Sequence, residues 1–203
     1  MPAIRNILTI AAVAFSAPLA AQPGDLALVS AHLKSVTSMT AAFAQSDRSG
    51  KTLTGTLTLK QPGKIRFQYQ PSVPILIVGD GKALTFVDYS VKQVSRWPIG
   101  NSPLGVLLDP DRDIGRFTKI VPNGDSRIVV AEARDPRRPE YGSITLAFAR
   151  DAAAPGGLRL QGWVALDAQN NRTSVRLSEQ RFNIPVSDKA FTWRDPRPSG
   201  PRK

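Results

Sequence analysis

His32 is the only histidine in the chain, and there is no cysteine. These two counts remove most of the usual reaction chemistry. A thiol nucleophile is absent, a Cys/His zinc site cannot be assembled, and a Ser/His/Asp relay would have to run through His32 alone. No serine stands in the context of a nucleophile elbow. His32 itself lies two positions out of register with the apolar stripe around it, as a solvated or partly packed helix residue would. The densest acidic run, Asp109-Pro110-Asp111-Arg112-Asp113, begins like a calcium loop. Ile114 stands where such a loop needs glycine, Ile120 where it needs glutamate, and Arg112 sets a cation among the ligands, so the run reads as a capped turn. Gly79-Asp80-Gly81 lacks the third glycine of a nucleotide loop and leads into a strand, which makes it a hairpin turn. Asn171-Arg172-Thr173 matches a glycosylation acceptor by pattern alone. The expectation is a protein without a catalytic group, a metal or a cofactor.

The ends of the chain and its charge narrow the setting. Arg5 is the only charge before Asp25, Ile7 to Phe15 form a short apolar run, and Ala17-Pro18-Leu19-Ala20-Ala21 supplies small residues. This three-part design predicts a secretory signal peptide over residues 1–21, cleaved near Ala20 or Ala21. The run falls short of the roughly 20 apolar residues that a membrane span needs. The formal net charge is +11. Export, and the lack of aromatics interleaved with the basic residues, argue against nucleic acid as a partner. An anionic membrane surface, an acidic protein or a plain solvated basic surface remain.

The elements that must position any site are mostly strands. Leu26, Val29, Leu33 and Val36 recur at three- and four-residue spacing and predict an amphipathic helix with Asp25 as N-cap. Met39, Ala41, Phe43 and Gln45 fit either its continuation or a first strand. Beyond Gly50 a period of two takes over, with Leu53, Leu57 and Leu59 opposite Thr52, Thr54, Thr56 and Thr58. Ile65, Phe67 and Tyr69 follow the Pro62-Gly63 turn, Ile75 to Val78 form an unbroken apolar strand, and Leu84 to Val87 return after Gly81. Pro103 to Leu108 are apolar without alternation and predict a short helix. Later strands are expected over 91–97, 117–121, 127–131, 143–149 and 173–184. Between them Leu158, Leu160, Gly162, Val164 and Leu166 form one face, against Arg159, Gln161, Trp163 and Asp167. Phe191-Thr192-Trp193 closes the domain. About ten strands and two helices without βαβ alternation predict a curved antiparallel sheet or barrel, with the helices at its mouth or on its concave side. Residues 22–194 form one domain and 195–203 a basic, proline-rich tail. Periodicity alone leaves open whether the greasy face packs an ordinary core or lines a ligand site.

The ordered run Gly55-Thr56-Leu57-Thr58-Leu59-Lys60-Gln61-Pro62-Gly63-Lys64-Ile65-Arg66-Phe67-Gln68-Tyr69 resembles the outer-membrane lipoprotein carrier (LolA) family. In that family Gly-x-Leu-x-x-Lys-Arg-Pro precedes an aromatic strand. The likeness continues through residues 75–86, 93–97, 100–104 and 191–193, and upstream through 33–36 and 39–45. No one motif is diagnostic; their order behind a signal peptide carries the resemblance. It implies an incomplete, strongly curved antiparallel β-barrel, mainly β, with short α-helices forming a lid over an apolar cavity. It further implies a periplasmic, non-enzymatic monomer without a cofactor. Such a protein accepts the acyl chains of lipoproteins from an inner-membrane ABC transporter and passes them to an outer-membrane receptor. On this reading Leu57, Leu59, Ile65, Phe67, Tyr69, Ile77, Leu84 and Phe86 line the cargo cavity, and Leu33, Val36, Leu104, Leu107 and Leu108 form lid contacts. The family's arginine before the turn proline, which holds the lid shut, is Gln61 here. Glutamine brings two donors against five, so either the lid is held more loosely or Arg66 takes over as the latch. Two other uses of the scaffold are a carrier of a different lipid or glycolipid and a lipid-sensing regulatory domain.

Overall fold

The computed structural model describes residues 24–99, 104–109 and 114–198. The expected signal peptide, Gly100 to Pro103 and the acidic run beyond Asp109 lie outside the described residues. Helix α1 (Asp25–Ser35) leads into β1 (Ser38–Ser46), β2 (Thr52–Lys60), β3 (Lys64–Tyr69), β4 (Ile75–Asp80), β5 (Ala83–Asp88) and β6 (Gln93–Pro98). A single helical turn, α2 (Gly105–Leu108), precedes β7 (Thr118–Ile120), β8 (Ile128–Arg134), β9 (Ser143–Arg150), β10 (Leu158–Leu166) and β11 (Arg172–Phe182). All eleven strands join one antiparallel sheet in the order β6-β5-β4-β3-β2-β1-β11-β10-β9-β8-β7. Two meanders are thus joined where the first strand pairs with the last, and the sheet does not close on itself.

The ambiguous stretch after α1 is a strand. Val36 turns to extended backbone as the helix C-cap, and Asn183 receives the Thr37 N–H and hydroxyl. Met39, Ala41 and Phe43 then alternate inward and are buried. The helix opens at Gly24 rather than at Asp25; Asp25 is its first residue and pairs with Arg150. The strongest evidence of curvature is the contact between Phe67 on β3 and Trp163 on β10, whose ring centroids lie 6.1 Å apart. Four strand spacings separate β3 from β10, roughly 19 Å across a flat sheet. Their rings can meet only if the sheet folds around its inner face.

Trp163 corrects the sequence expectation. Strict alternation puts it on the polar face, yet it is buried inside. The β9–β10 register shifts between Leu160 and Gly162, so Gln161 is an extra residue. One inserted residue swaps the faces of all that follow. A Cβ at Gly162 would come within 2.1 Å of the Val175 carbonyl oxygen, which leaves glycine as the fitting residue at this coil of the strand.

Ile75 to Val78 read as an unbroken apolar run because both of their faces are covered. Ile75 and Ile77 pack into the inner core, whereas Leu76 and Val78 join Val87 and Phe191 in a second cluster on the outer face. Phe191 to Trp193 close the domain from this outer face. Residues Asp188–Phe191 make a 3-10 turn, and Val186, Ala190 and Trp193 pack with it on the outer core.

His32 is buried rather than solvated. Its Nδ1–H donates to the Pro155 carbonyl at 2.7 Å, and its ring meets the edges of Phe148 and Phe182. The 155–157 loop approaches so closely that a Cβ on Gly156, at φ +65°, would lie 2.5 Å from the His32 backbone nitrogen. Gly156→Ala should destabilise the fold by at least about 2 kcal/mol in chemical denaturation, since left-handed backbone and helix contact both oppose a side chain. Burial lowers the His32 pKa from its usual 6.5. The unfolded chain therefore takes up the proton first as pH falls. The full stability is present above about pH 6.5 and declines below it, by at most about 1.4 kcal/mol per pH unit. His32→Gln should flatten that decline between about pH 6.5 and 5, measured by denaturation at each pH.

Candidate functional site

Strand register arranges the inner-face residues in rows. Ala41, Leu57, Phe67, Ile77 and Phe86 face one another across β1 to β5. Met39, Leu59, Ile65, Gly79 and Leu84 form the next row, and Trp97 on β6 extends it to the sheet edge, partly exposed. A third row runs Phe43, Gly55, Tyr69. The absent side chain at Gly55 lets the Phe43 and Tyr69 rings meet edge-on across it, 5.2 Å apart. A Cβ there would lie 2.1 Å from the Gln68 carbonyl oxygen. Phe43 also meets Phe67 at 5.4 Å. The Tyr69 hydroxyl stays inside, donating to Gln45 Oε1 at 2.8 Å, and burial raises its pKa to about 12.

Of the eight residues expected on this face, Leu57, Leu59, Ile65, Phe67, Tyr69 and Leu84 are buried. Ile77 and Phe86 are half-buried. The face is occupied by protein side chains: Val29, Leu33 and Val36 around α1, and Val106, Leu107 and Leu108 from α2, belong to the same apolar cluster. Leu104 packs against it, half-buried. The helices thus lie against this apolar face as its cover. A depression of about 740 Å³ lies on the outer face, over Ala44, Ala147, Gly162 and Val164 with Arg172 and Arg176.

The β2–β3 turn holds α2 in place. Gln61 Nε2 donates to the Leu107 carbonyl at 2.7 Å, and the Gly63 N–H donates to Leu108 at 2.8 Å. Gln61 Oε1 is buried without a protein partner among the described residues. Gly63 has φ +74°, and a Cβ there would lie 2.6 Å from Gly81 Cα, so the turn is wedged against the β4–β5 hairpin. Arg66 is not a substitute for Gln61. One residue past the inward Ile65, its side chain lies on the outer face, where it donates to the carbonyls of Ala190 and Thr192 and to Gln68. Burial lowers its pKa without making it neutral. The residues missed at sequence level are Trp163, Val106 and Ile114, all buried in the cluster. The bulge hid the first. A short apolar segment without a period concealed the direction of Val106. Ile114 was read only as the residue that breaks a calcium loop.

No group of three or more His, Asp or Glu able to hold a metal ion occurs among the described residues. No described helix is long and apolar enough to cross a membrane.

The chain is similar to an outer-membrane lipoprotein carrier protein of Chromobacterium violaceum, 28% identical over 97% of this chain and 96% of that protein. One from Dechloromonas aromatica is 25% identical over 95% and 94%. Among solved structures, a LolA superfamily protein from Nitrosomonas europaea aligns with a TM-score of 0.45 at 12% identity, covering 83% of this chain and 97% of that one. The family model described as outer membrane lipoprotein carrier protein LolA matches residues 34–194. With that match spanning both meanders and the intervening α2, the chain belongs to the LolA family of lipoprotein carriers.

Proposed function

We propose that this protein is a periplasmic carrier that shields the acyl chains of lipoproteins and moves them from the inner to the outer membrane, with no catalytic step. The observation that carries the reading is a continuous apolar face, two rows deep across β1 to β5 with a third row across β1 to β3, covered by a four-residue helix that two hydrogen bonds tie down. Leu57, Leu59, Ile65, Phe67, Tyr69, Ile77, Leu84 and Phe86 form the cargo surface, and α2 with Leu104 is the lid that cargo displaces. Leu33 and Val36 are the lid contacts on the side of α1.

The magnitudes permit this exchange. Exposing Val106, Leu107 and Leu108 costs about 1.5–3 kcal/mol each, roughly 5–9 kcal/mol together. One acyl chain leaving water gains on the order of 10 kcal/mol at about 0.8 kcal/mol per CH₂. A single chain already offsets the opening of the lid, and further chains of a lipoprotein add to that gain. A site built from directional hydrogen bonds would hold its ligand more tightly than a carrier can use. The signal peptide, the inner-membrane transporter as donor, the outer-membrane receptor as acceptor and the monomeric state belong to the same reading.

A hydrophobic fluorophore should bind saturably to the purified protein and be displaced by a triacylated lipopeptide. The absence of saturable binding would sink the carrier reading. Gln61→Ala removes one latch bond, worth about 1 kcal/mol, and should speed fluorophore uptake about fivefold in stopped flow. Depletion in the native organism should strand lipoproteins in the inner membrane. Normal lipoprotein sorting with a missing outer-membrane lipid would instead assign the scaffold to another lipid.

A further inference from the structure

Lys60 and Lys64 close the β2–β3 hairpin as a directly opposed pair. Two like charges facing each other across an antiparallel ladder repel. The turn they bracket, Gln61 to Gly63, carries both hydrogen bonds to α2. On the outer face one Asp188 oxygen lies 2.6 Å from Lys60 Nζ and 3.0 Å from Lys64 Nζ. Asp188 is not a loose surface acid. It begins the 3-10 turn that ends in Phe191, whose ring is buried on Leu76, Val78 and Val87. Two residues of the same segment, Ala190 and Thr192, give their carbonyls to Arg66.

Exposed ion pairs usually contribute little, because ordering two long side chains offsets a screened attraction. Two features change the balance here. The hairpin end and the anchored turn already fix the backbones of all three partners. The alternative to the bridge is also unfavourable, since without Asp188 the two ammonium groups face each other unneutralised. Lys60 and Lys64 hold the Asp188 carboxyl below the ordinary carboxylate range, in keeping with a bridge to both.

We propose that Asp188 is a positioning residue of the lid. By neutralising Lys60 and Lys64 it keeps the β2–β3 turn in the shape that presents Gln61 and Gly63 to α2. The C-terminal segment on the outer face is thereby coupled to the helix covering the inner face. The inference rests on α2 being the lid, and it gives the outer cluster a part in holding that lid down.

Amide hydrogen exchange of Gly63 reads its bond to Leu108 directly and needs no cargo, so it is independent of whether the protein binds lipid. Asp188→Asn should accelerate Gly63 exchange roughly threefold or more, the upper end of what exposed pairs contribute, while Leu146 in the core of β9 exchanges as in the wild type. Adding Lys64→Gln removes the like-charge pair, and the double variant should return Gly63 to within about twofold of wild type. Unchanged Gly63 exchange in Asp188→Asn overturns the proposal. So does equal acceleration of Gly63 and Leu146, which would make Asp188 a general stability element. A double variant as fast as the single one also refutes it, because the coupling would not run through the lysine pair. Failure of the wild type to bind a fluorophore would overturn the carrier reading and leave these exchange outcomes intact.

Discussion

Keeping one apolar face of a wide sheet away from water is the constraint on which the rest of the molecule depends. A sheet of eleven strands cannot bury a full face against a single helix while flat. The face must be wrapped, and the wrapping is built from local irregularities. Gly55 lets Phe43 reach Tyr69 across an intervening strand. The extra residue at Gln161 turns Trp163 inward to meet Phe67 from the far side. The Phe67–Trp163 contact draws the two meanders together. α1 fills one part of the hollow, secured by the loop at Gly156, and α2 covers another.

The two covers differ in how they are secured. α1 is eleven residues long and buries His32 as well as Val29 and Leu33. α2 is a single turn whose side chains are fully inside but whose polar ties come from one hairpin turn. The Gln61 tie is a compromise. Its N–H satisfies the Leu107 carbonyl, while its own oxygen has no protein partner among the described residues. An arginine would bring donors only and leave no such acceptor. α2 is held chiefly by apolar contact.

The outer face has its own division of labour. Over β4 to β6 it carries a second apolar cluster beneath the C-terminal segment, and Arg66 on β3 ties that segment down. Over β1, β2 and β9 to β11 it is small, polar and open, with Arg172 and Arg176 at the depression. The β2–β3 turn is where the two faces meet. Its backbone and Gln61 bond inward to α2, and its flanking lysines bond outward to Asp188.

Much of this was legible in the residues. The alternation of Leu with Thr and of Ile, Phe and Tyr with Lys, Arg and Gln set the faces of β2 and β3. Strand pairing then placed Leu57, Phe67 and Ile77 in one row, as a period of two requires. The absence of cysteine and the single histidine removed most catalytic chemistry before any fold was known, and the order of the motifs pointed to the family. Three things needed the tertiary structure. Alternation carries no mark of an inserted residue, so a period of two assigns Trp163 to the polar face, whereas its pairing with β9 turns it inward. Local sequence does not say which face of a sheet a distant segment will cover, so the destination of Phe191 and the outward role of Arg66 were hidden. Hydrophobicity also reads the same for a face that is open and one that is occupied. Only the packing of Val106, Leu107 and Leu108 onto the sheet decided that the greasy face is covered by the chain's own helix, because burial is a property of what sits opposite a residue and not of the residue itself.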